Sequence, residues 1–251
     1  MNNHLKLRGL TAAAFAASAM FAAQPAAADV IEINNFWAGS GAANIQYTGT
    51  DWHDGSKVSG LNEYGGSGGF KTYDLTTDPN RLNPFQTFCV DIFHSFSFAV
   101  DSNDTLRPAT IISTTAAAEL GQLYTNHHAD IDSTGSSAEK ESAFQLAVWE
   151  IVNENGSTLS LTDGAFKASG TGGSLAQTWL NELMGSVSPS AYSASIWTVQ
   201  SMLTTGHGYA QDLVTFSPIQ TPVPEPETYA MMLVGLGLLG LTARRKNQHQ
   251  V

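Results

Sequence analysis

The stretch SSAEKESAFQLAVWEIVNENG, residues 136–156, carries the strongest helix signal in the chain. Ser136, followed three positions later by Glu139, forms a capping box, in which each side chain pairs with a main-chain N–H group at the start of a helix. Gly156 fits the position just after a helix, where glycine commonly ends it. The sequence therefore predicts a helix over most of this stretch.

The apolar residues of this helix recur at helical spacing. They predict one buried stripe, made of Phe144, Ala147, Val148, Ile151 and Val152. Gln145 lies about 100° round the helix axis from Phe144, and it shares a face with Glu141 and Trp149 at i−4 and i+4. We therefore expect Gln145 at the edge of the buried stripe, with Trp149 beside it.

The residues that precede this helix predict mainly strands. Five segments are rich in β-branched and aromatic residues, at 30–37, 44–49, 70–75, 85–93 and 95–100. The glycine-rich segments GSGAA (39–43) and EYGGSGGF (63–70) predict hairpin loops between them. They lack the strand–helix context of a phosphate-binding loop.

Two further helices are predicted, at 113–128 with Ser113 as the N-cap and at 174–185. Strand patterns return at 191–203 and 211–219. Strands followed by helices and then by strands favour the α+β class over a doubly wound sheet. The expected body, residues 29–220, is an antiparallel β-sandwich or barrel-like structure with an inserted helical subdomain.

The first 28 residues have the organisation of a secretory signal peptide. Lys6 and Arg8 precede an apolar run from Leu10 to Ala23, and Ala26-Ala27-Ala28 provides an A-x-A cleavage site. Residues 1–28 are therefore predicted to be a signal peptide that is removed after export.

Residues 221–251 have three parts in a fixed order. A proline-rich spacer precedes an apolar stretch from Tyr229 to Leu241, and a basic tail follows, made of Arg244, Arg245 and Lys246. The apolar stretch is shorter than the roughly 20 residues of a stable membrane span. The basic residues would hold its end on the cytoplasmic side. This segment is therefore predicted to be a transmembrane helix that inserts only transiently.

The same residues resemble the PEP-CTERM sorting signal of exopolysaccharide-producing Gram-negative bacteria. Pro224, Glu225 and Pro226 match the motif that names this signal. The resemblance implies that an exosortase, a membrane transpeptidase, cuts near the motif and removes the helix. It also implies export across the inner membrane, to the cell surface or the extracellular space.

The charge of the body excludes one class of partner. Residues 29–223 hold six of the 11 Lys and Arg and 20 of the 22 Asp and Glu, which gives a net charge of −14. Such a surface repels phosphate backbones, so nucleic-acid binding is not expected. With one cysteine, the chain also cannot form a disulfide within itself.

The single cysteine, Cys89, lies in the apolar stretch FQTFCVDIF (85–93) and admits three interpretations. It is a small buried hydrophobe, a catalytic nucleophile, or one half of an internal crosslink. As a nucleophile it would need a base, and the candidates are His53, His94, His127 and His128. His94 is a poor candidate because an odd offset along a strand points to the opposite face.

The segments TFCVD (87–91) and AFQLAVWEI (143–151) together resemble the motif pair of bacterial thioester domains, known from surface adhesins of Gram-positive cocci. In those domains the sulfur of a cysteine is bonded to the side-chain carbonyl of a glutamine in a Gln-x-Ala-aliphatic-Trp helix. The resemblance implies that Cys89 is the sulfur and Gln145 the acyl donor. Phe144 stands where many such domains have threonine.

The chemistry of such a bond demands a particular environment. Amides resist thiolate attack unless the two groups are held together, which gives effective concentrations of ~10⁵ M or more, and unless a donor stabilises the oxyanion. Shielding from water would fall to Phe88, Phe144 and Trp149. A partner amine, such as a lysine or a polyamine, would open the thioester and become linked to Gln145.

Other polar groups give weaker signals. His127, His128, Asp130 and Asp132 suit a solvated loop after a helix better than a metal site, whose ligands usually come from separate elements. The segment DWHDG (51–55) looks like a turn. Trp37 and Trp52 suit core packing better than sugar stacking. No metal or other cofactor is expected.

The sequence as a whole predicts an exported, exosortase-processed protein of the cell surface or extracellular matrix that is not an enzyme. Its predicted partners are the exosortase and a matrix polymer or surface amine, which it would bind covalently through Cys89 and Gln145. The alternative is a noncatalytic structural protein of the exopolysaccharide or biofilm matrix, held by noncovalent contacts.

Overall fold

The computed structural model describes residues 29–53, 56–93, 98, 104–109, 112–132, 134–154, 158–185, 189–201, 208–209 and 211–219. The predicted signal peptide, residues 1–28, and the predicted sorting segment, residues 221–251, lie outside the described residues, as does most of the predicted strand at 95–100. In the described part of the chain, no helix is both long enough and apolar enough to cross a membrane.

The described strands are β1 (Asp29–Phe36), β2 (Gly41–His53), β3 (Ser56–Ser67), β4 (Phe70–Asp74), β5 (Phe85–Cys89), β6 (Asp104–Ala109), β7 (Phe166–Gly170), β8 (Tyr192–Ser201), β9 (Gly208–Tyr209) and β10 (Leu213–Pro218). The described helices are α1 (Thr114–Ile131), α2 (Ala138–Asn153) and α3 (Gly173–Gly185).

The strands form two antiparallel sheets. One has seven strands in the order β10-β5-β4-β1-β6-β8-β9, and β10 also pairs with β8. The other has three strands in the order β3-β2-β7. The predicted α+β class and antiparallel pairing are confirmed. The barrel-like alternative needs correction, because the described strands divide between two separate sheets.

The hairpin of β2 and β3 is longer than the sequence pattern indicates. Gly65 and Gly66, predicted to lie in a loop, are in β3 and pair with Ala43 and Ala42 of β2. The prediction was wrong because glycine weakens a strand without preventing main-chain pairing, and the long register with β2 supplies the missing stability. The real connection to β4 is Gly68 and Gly69.

The helix starts follow the predicted capping chemistry with one shift. Ser113 is the N-cap of α1, as predicted, and its side chain accepts from the N–H of Ala116. The N-cap of α2 is Ser137 instead of the predicted Ser136. The hydroxyl of Ser136 donates to the carboxylate of Glu141, 2.7 Å away, so this serine contacts the helix without capping it.

Helix α2 lies at the centre of the molecule. It contacts α1, α3 and the strands β2, β3, β5 and β7, and residues on all its sides are buried. The predicted single buried stripe is therefore too narrow: Glu141, Gln145 and Glu150 are as inaccessible as the apolar residues. The helices, though inserted between strands along the chain, share one core with the sheets and form no separate subdomain.

Candidate functional site

Cys89 is the last residue of β5, and its position leaves its main chain open on one side. On one edge of β5, Leu213 of β10 pairs with Cys89, and the N–H of Val90 donates to the carbonyl of Asp212 at 2.9 Å. On the other edge, β4 begins at Phe70, opposite Thr87. The main chain of Cys89 therefore extends past the end of β4 on that edge.

Gln145 of α2 fills this place. Its Oε1 accepts from the N–H of Cys89 at 2.9 Å, and its Nε2 donates to the C=O of Cys89 at 2.6 Å. The carboxamide thus pairs with the strand as a neighbouring main chain would. Each of the two residues is only 1% exposed. The polar groups of this buried contact satisfy one another, which removes most of the cost of burying them.

The sulfur of Cys89 is buried and lies near negative charge. Its Sγ is 2.9 Å from the carbonyl oxygen of Asp91, to which the thiol donates. Burial raises the pKa of the thiol well above its ordinary value, and the negative charge of Asp91 adds to this rise. The cysteine therefore stays protonated at neutral pH and is a weak nucleophile towards reagents from solution.

The side chain of Trp149 and the hydrogen bond to the Asp91 main chain both oppose this rise in pKa. The proximity of the Trp149 indole N–H to Cys89 lowers the thiol pKa. In the described residues, however, the buried Nε1 has no acceptor in full hydrogen-bond geometry. The indole N–H is therefore an available donor next to the sulfur, in a position to stabilise a thiolate or an oxyanion.

A cavity of about 430 Å³ opens beside these groups. Cys89, Gln145 and Trp149 line it, together with the exposed residues Glu63 and Tyr64 of β3. Its size is in the range of small-molecule sites. The cavity therefore connects the buried cysteine and glutamine to the edge of the three-stranded sheet.

A buried carboxylate bonds the residue next to Gly68, which lines the cavity. Glu141 of α2 accepts from the N–H of Gly69 at 3.2 Å and from Nε2 of Gln86 at 2.7 Å, in addition to Ser136. Burial raises the pKa of Glu141 to about 7, although these donors lower it. Next to it, the hydroxyls of Ser142 and Ser67 are hydrogen-bonded to each other. Helix α2 thus holds the connection between β3 and β4.

Phe88 and Phe144, predicted to shield the bond, contact each other with ring centroids 4.5 Å apart. Both are fully buried in the core, and neither is among the residues that line the cavity. Phe88 precedes Cys89 in the strand, so it points to the opposite face. Of the three predicted shielding residues, only Trp149 lines the cavity with Cys89 and Gln145.

The histidine alternatives receive no support from the described contacts. Within the described ranges, the hydrogen bonds of Cys89 go to Gln145 and Asp91 and none goes to a histidine. His94 lies outside the described residues. His127 stacks on Trp179 with ring centroids 4.4 Å apart and lies 3.4 Å from Glu182. It therefore joins α1 to α3.

The other members of the predicted polar cluster also have structural contacts. Asp132 accepts from the hydroxyl of Tyr124 at 2.6 Å, and Asp130 lies 3.2 Å from the ammonium of Lys140. Across the described residues, no three His, Cys, Asp or Glu side chains are grouped as metal ligands.

Sequence reasoning missed Gln211, which also lines the cavity. Its Nε2 donates to the carbonyl of Asp91 at 3.0 Å, the same oxygen that the thiol of Cys89 contacts. The segment AQDLV (210–214) in which it lies has no motif that would have singled it out. Only the pairing of β10 with β5 brings it to the cysteine.

Comparisons with known proteins give a match for the C-terminal segment and another for the body. The match to a known family covers residues 222–246. These residues are a PEP-CTERM protein-sorting motif. The PEP-CTERM motif implies processing by an exosortase and export to the cell envelope or surface of a Gram-negative bacterium. The residues predicted to form this signal, Pro224, Glu225 and Pro226 with the basic Arg244, Arg245 and Lys246, all lie within the match.

The PEP-CTERM motif covers a small part of the chain. The body is weakly similar to a solved structure of another protein. It is the N-terminal thioester domain of a surface protein from Clostridium perfringens, as a cysteine-to-alanine mutant. The identity is 13%, the TM-score is 0.36, and the match covers 60% of this chain and 89% of that chain. None of the curated proteins matches the sequence.

Proposed function

We propose that the body of this exported protein forms an internal thioester between Cys89 and Gln145 and uses it to attach covalently to amines on a surface or in the extracellular matrix. The observation that carries the proposal is the double hydrogen bond between the Gln145 carboxamide and the Cys89 main chain, beside a cavity. The resemblance of both sequence segments to thioester-domain motifs is independent support.

The first reaction is internal. The sulfur of Cys89 attacks the side-chain carbonyl carbon of Gln145, the C–N bond breaks, and the thiol proton leaves with the amide nitrogen as ammonia. The hydrogen bonds to the Cys89 main chain hold the carboxamide next to the residue that carries the sulfur. Such positioning lowers the barrier to attack on an otherwise unreactive amide.

The electrostatics of the site favour an acylated sulfur over a charged one. The same burial that raises the thiol pKa disfavours the thiolate. A thioester carries no charge, so it escapes this penalty. Cys89 and Gln145 are each only 1% exposed, which limits the access of water to the bond between them.

The second reaction consumes the thioester. A neutral amine attacks the acyl carbon, the C–S bond breaks, and one N–H proton passes to the sulfur. The products are a substituted amide at Gln145 and a free Cys89 thiol. The cavity supplies the route for the amine. Each molecule reacts once, so the protein is a covalent ligand and not an enzyme.

Intact-mass analysis of the purified full chain tests this function. We expect a mass lower by one ammonia than that calculated for its observed termini. Cys89→Ala and Gln145→Ala should each abolish the loss. Gln122→Ala, which removes another buried glutamine on α1, should retain it. A full-mass wild type whose Cys89 is a free thiol would sink the proposal.

A noncatalytic matrix protein is the second candidate. It is favoured by the fact that the Gln145 carboxamide already satisfies both main-chain groups of Cys89, which is a sufficient structural role. Methylamine separates the two functions. Incorporation of one methylamine at Gln145 supports the thioester, whereas an unmodified Gln145 in folded protein supports the noncovalent role.

Processing at the sorting motif has its own test. We expect the exosortase to cut near Pro224, Glu225 and Pro226 and to remove the transiently inserted helix at 229–241. Replacing all three residues by alanine should leave the basic tail attached, as measured by the mass of the exported product. A normally processed variant would show that these residues do not direct the cut.

A further inference from the structure

Gln211 is a buried side chain with one bonded and one unbonded polar atom. It is 9% exposed, and it lies on the wall of the cavity with Cys89, Gln145 and Trp149. Its Nε2 donates to the carbonyl of Asp91, but its Oε1 has no hydrogen-bond partner in the described part of the chain. A buried acceptor without a donor costs about 1–3 kcal/mol, so the fold maintains it against a penalty.

The hydrogen bond from Nε2 of Gln211 shows which kind of group the unbonded atom of this side chain is. The Asp91 carbonyl accepts hydrogen bonds only, so the atom that faces it must be the amide nitrogen of Gln211. The free atom is therefore the carbonyl oxygen, which can only accept. A ligand in this part of the cavity must supply a donor group.

Trp149 presents the complementary group. Its buried Nε1 is a donor without a full partner, and it lines the same cavity. The cavity thus holds one unused donor and one unused acceptor close to the cysteine and glutamine. This combination suits a reaction in which an N–H nucleophile meets a carbonyl that is becoming an oxyanion.

We propose that Gln211 positions the attacking amine in the opening of the thioester, by accepting one of its N–H groups at Oε1. This inference rests on the proposed function and adds a specificity-determining residue to it. One N–H of the amine bonds Gln211, its lone pair forms the C–N bond to the Gln145 acyl carbon, and another N–H proton passes to the sulfur as the C–S bond breaks. Amines are selected over nucleophiles that donate weakly.

The anchor of Gln211 does not depend on the state of the sulfur. Cys89 and Gln211 both donate to the Asp91 carbonyl. When the sulfur becomes acylated, it loses its proton and its bond to this carbonyl, whereas the bond from Gln211 remains available. Gln211 is therefore held in place in the state that reacts with the amine.

Gln211→Leu tests this role in the full chain that carries the thioester. We expect the variant to keep the mass loss of one ammonia and to react with methylamine about tenfold more slowly, as expected for one lost hydrogen bond in the transition state. Its reaction with ethanethiol, whose S–H is a weak donor, should change little. The ratio of the two rates is the readout, because a structural defect would slow both.

Two further variants complete the experiment. Gln86→Leu is the matched control: it removes a half-buried glutamine with an unbonded, buried Oε1, on the strand of Cys89 and not among the residues that line the cavity. It should leave the rate ratio unchanged. Gln211→Met, an uncharged side chain of similar length without an amide oxygen, should show the same selective loss of rate with methylamine, which preserves the test where the leucine variant does not fold.

The outcomes separate the two proposals. An unchanged rate ratio in Gln211→Leu overturns the role of Gln211 and leaves the thioester standing. Loss of the thioester in both Gln211 variants also overturns it, because the residue would then belong to the formation of the bond. A wild type without the ammonia loss overturns the proposed function itself, and the role of Gln211 with it.

Discussion

The side chain of Gln145 hydrogen-bonds the main chain of Cys89 and not its sulfur, with Oε1 2.9 Å from the amide nitrogen and Nε2 2.6 Å from the carbonyl oxygen. This distinction means that the two residues contribute differently to stability. The contact survives any replacement of the cysteine side chain, but it disappears when the glutamine is shortened.

Cys89→Ser and Gln145→Ala should therefore differ in stability, although neither can form the thioester. The serine hydroxyl can still donate to the Asp91 carbonyl, so we expect a loss of about 1 kcal/mol. The alanine variant leaves two buried main-chain groups unpaired and opens a void, at a cost of about 2–4 kcal/mol. Urea unfolding measures both, and equal losses would contradict the structural role of the carboxamide.

Trp149→Phe should raise the pH at which the Cys89 thiol reacts. The phenyl ring retains the packing, but it removes the N–H that lowers the thiol pKa. The rate of alkylation by iodoacetamide, followed against pH after the thiol has been freed with methylamine, should reach its midpoint at a higher pH than in the wild type. Trp179→Phe, on α3, serves as the control. An unshifted midpoint in Trp149→Phe would show that the indole N–H does not act on the sulfur.

Glu141 and Glu150 should make the protein less stable as the pH rises from 4.5 to 7. Burial raises the pKa of both from 4.5 to about 7; the nearby Asp132 adds to the rise for Glu141, and Glu154 adds to it for Glu150. Below pH 4.5 both states hold the protons and the native state has its full stability. Between the two values the unfolded chain releases protons that the folded protein keeps, so stability falls until the folded carboxyls ionise.

The pH effect is on the order of 1–3 kcal/mol for each group. It should shrink in Glu141→Gln, whose amide keeps an oxygen for Gly69 and Gln86 and has no proton to lose. Urea unfolding at pH 4.5 and at pH 7.5 gives the difference. Glu139→Gln, at an exposed position of the same helix, should behave as the wild type does. If Glu141→Gln lost as much stability between pH 4.5 and pH 7.5 as the wild type does, the raised pKa of Glu141 would not be the cause of the loss.

Gly69→Ala should destabilise the connection between β3 and β4. An added Cβ would lie 2.6 Å from Oε2 of Glu141 and 2.9 Å from a ring carbon of Phe88. We expect a loss of about 2–3 kcal/mol by overpacking. At Gly65 an added Cβ meets nothing within 4 Å, so Gly65→Ala should be neutral within about 0.5 kcal/mol. Similar thermal unfolding midpoints for the two variants would show that residue 69 has room for a Cβ atom.

The contact between Cys89 and Gln145 could be predicted because each residue lies in a short sequence motif, TFCVD (87–91) or AFQLAVWEI (143–151). Their surroundings could not be predicted in the same way. A single helix gives one buried stripe from its periodicity, but α2 is enclosed on all sides, so Gln145 and Glu141 lie in the core. Hydrogen bonds from distant residues make this burial possible, and periodicity does not report them.

The sequence failed to predict part of β3 and the role of Gln211 for different reasons. The residues Gly65 and Gly66 read as a loop because glycine is rare in strands, yet pairing with β2 overrides that preference. Gln211 had no local signal, since its role depends on the alignment of β10 with β5, far apart in the chain. Strand pairing between residues that are far apart in the chain cannot be predicted from the local pattern of either segment.

The pairing of Leu213 with Cys89 also determines how the protein would carry mechanical load. Strand β10 ends at Pro218, shortly before the sorting motif that starts at residue 222. Tension between a partner bound at Gln145 and the C-terminal end of the body has a short route, from Gln145 to Cys89 and from Cys89 to Leu213. The packing of α2 on β5 and the pairing of β5 with β10 would therefore share the tension with the covalent chain that joins Gln145 to β10.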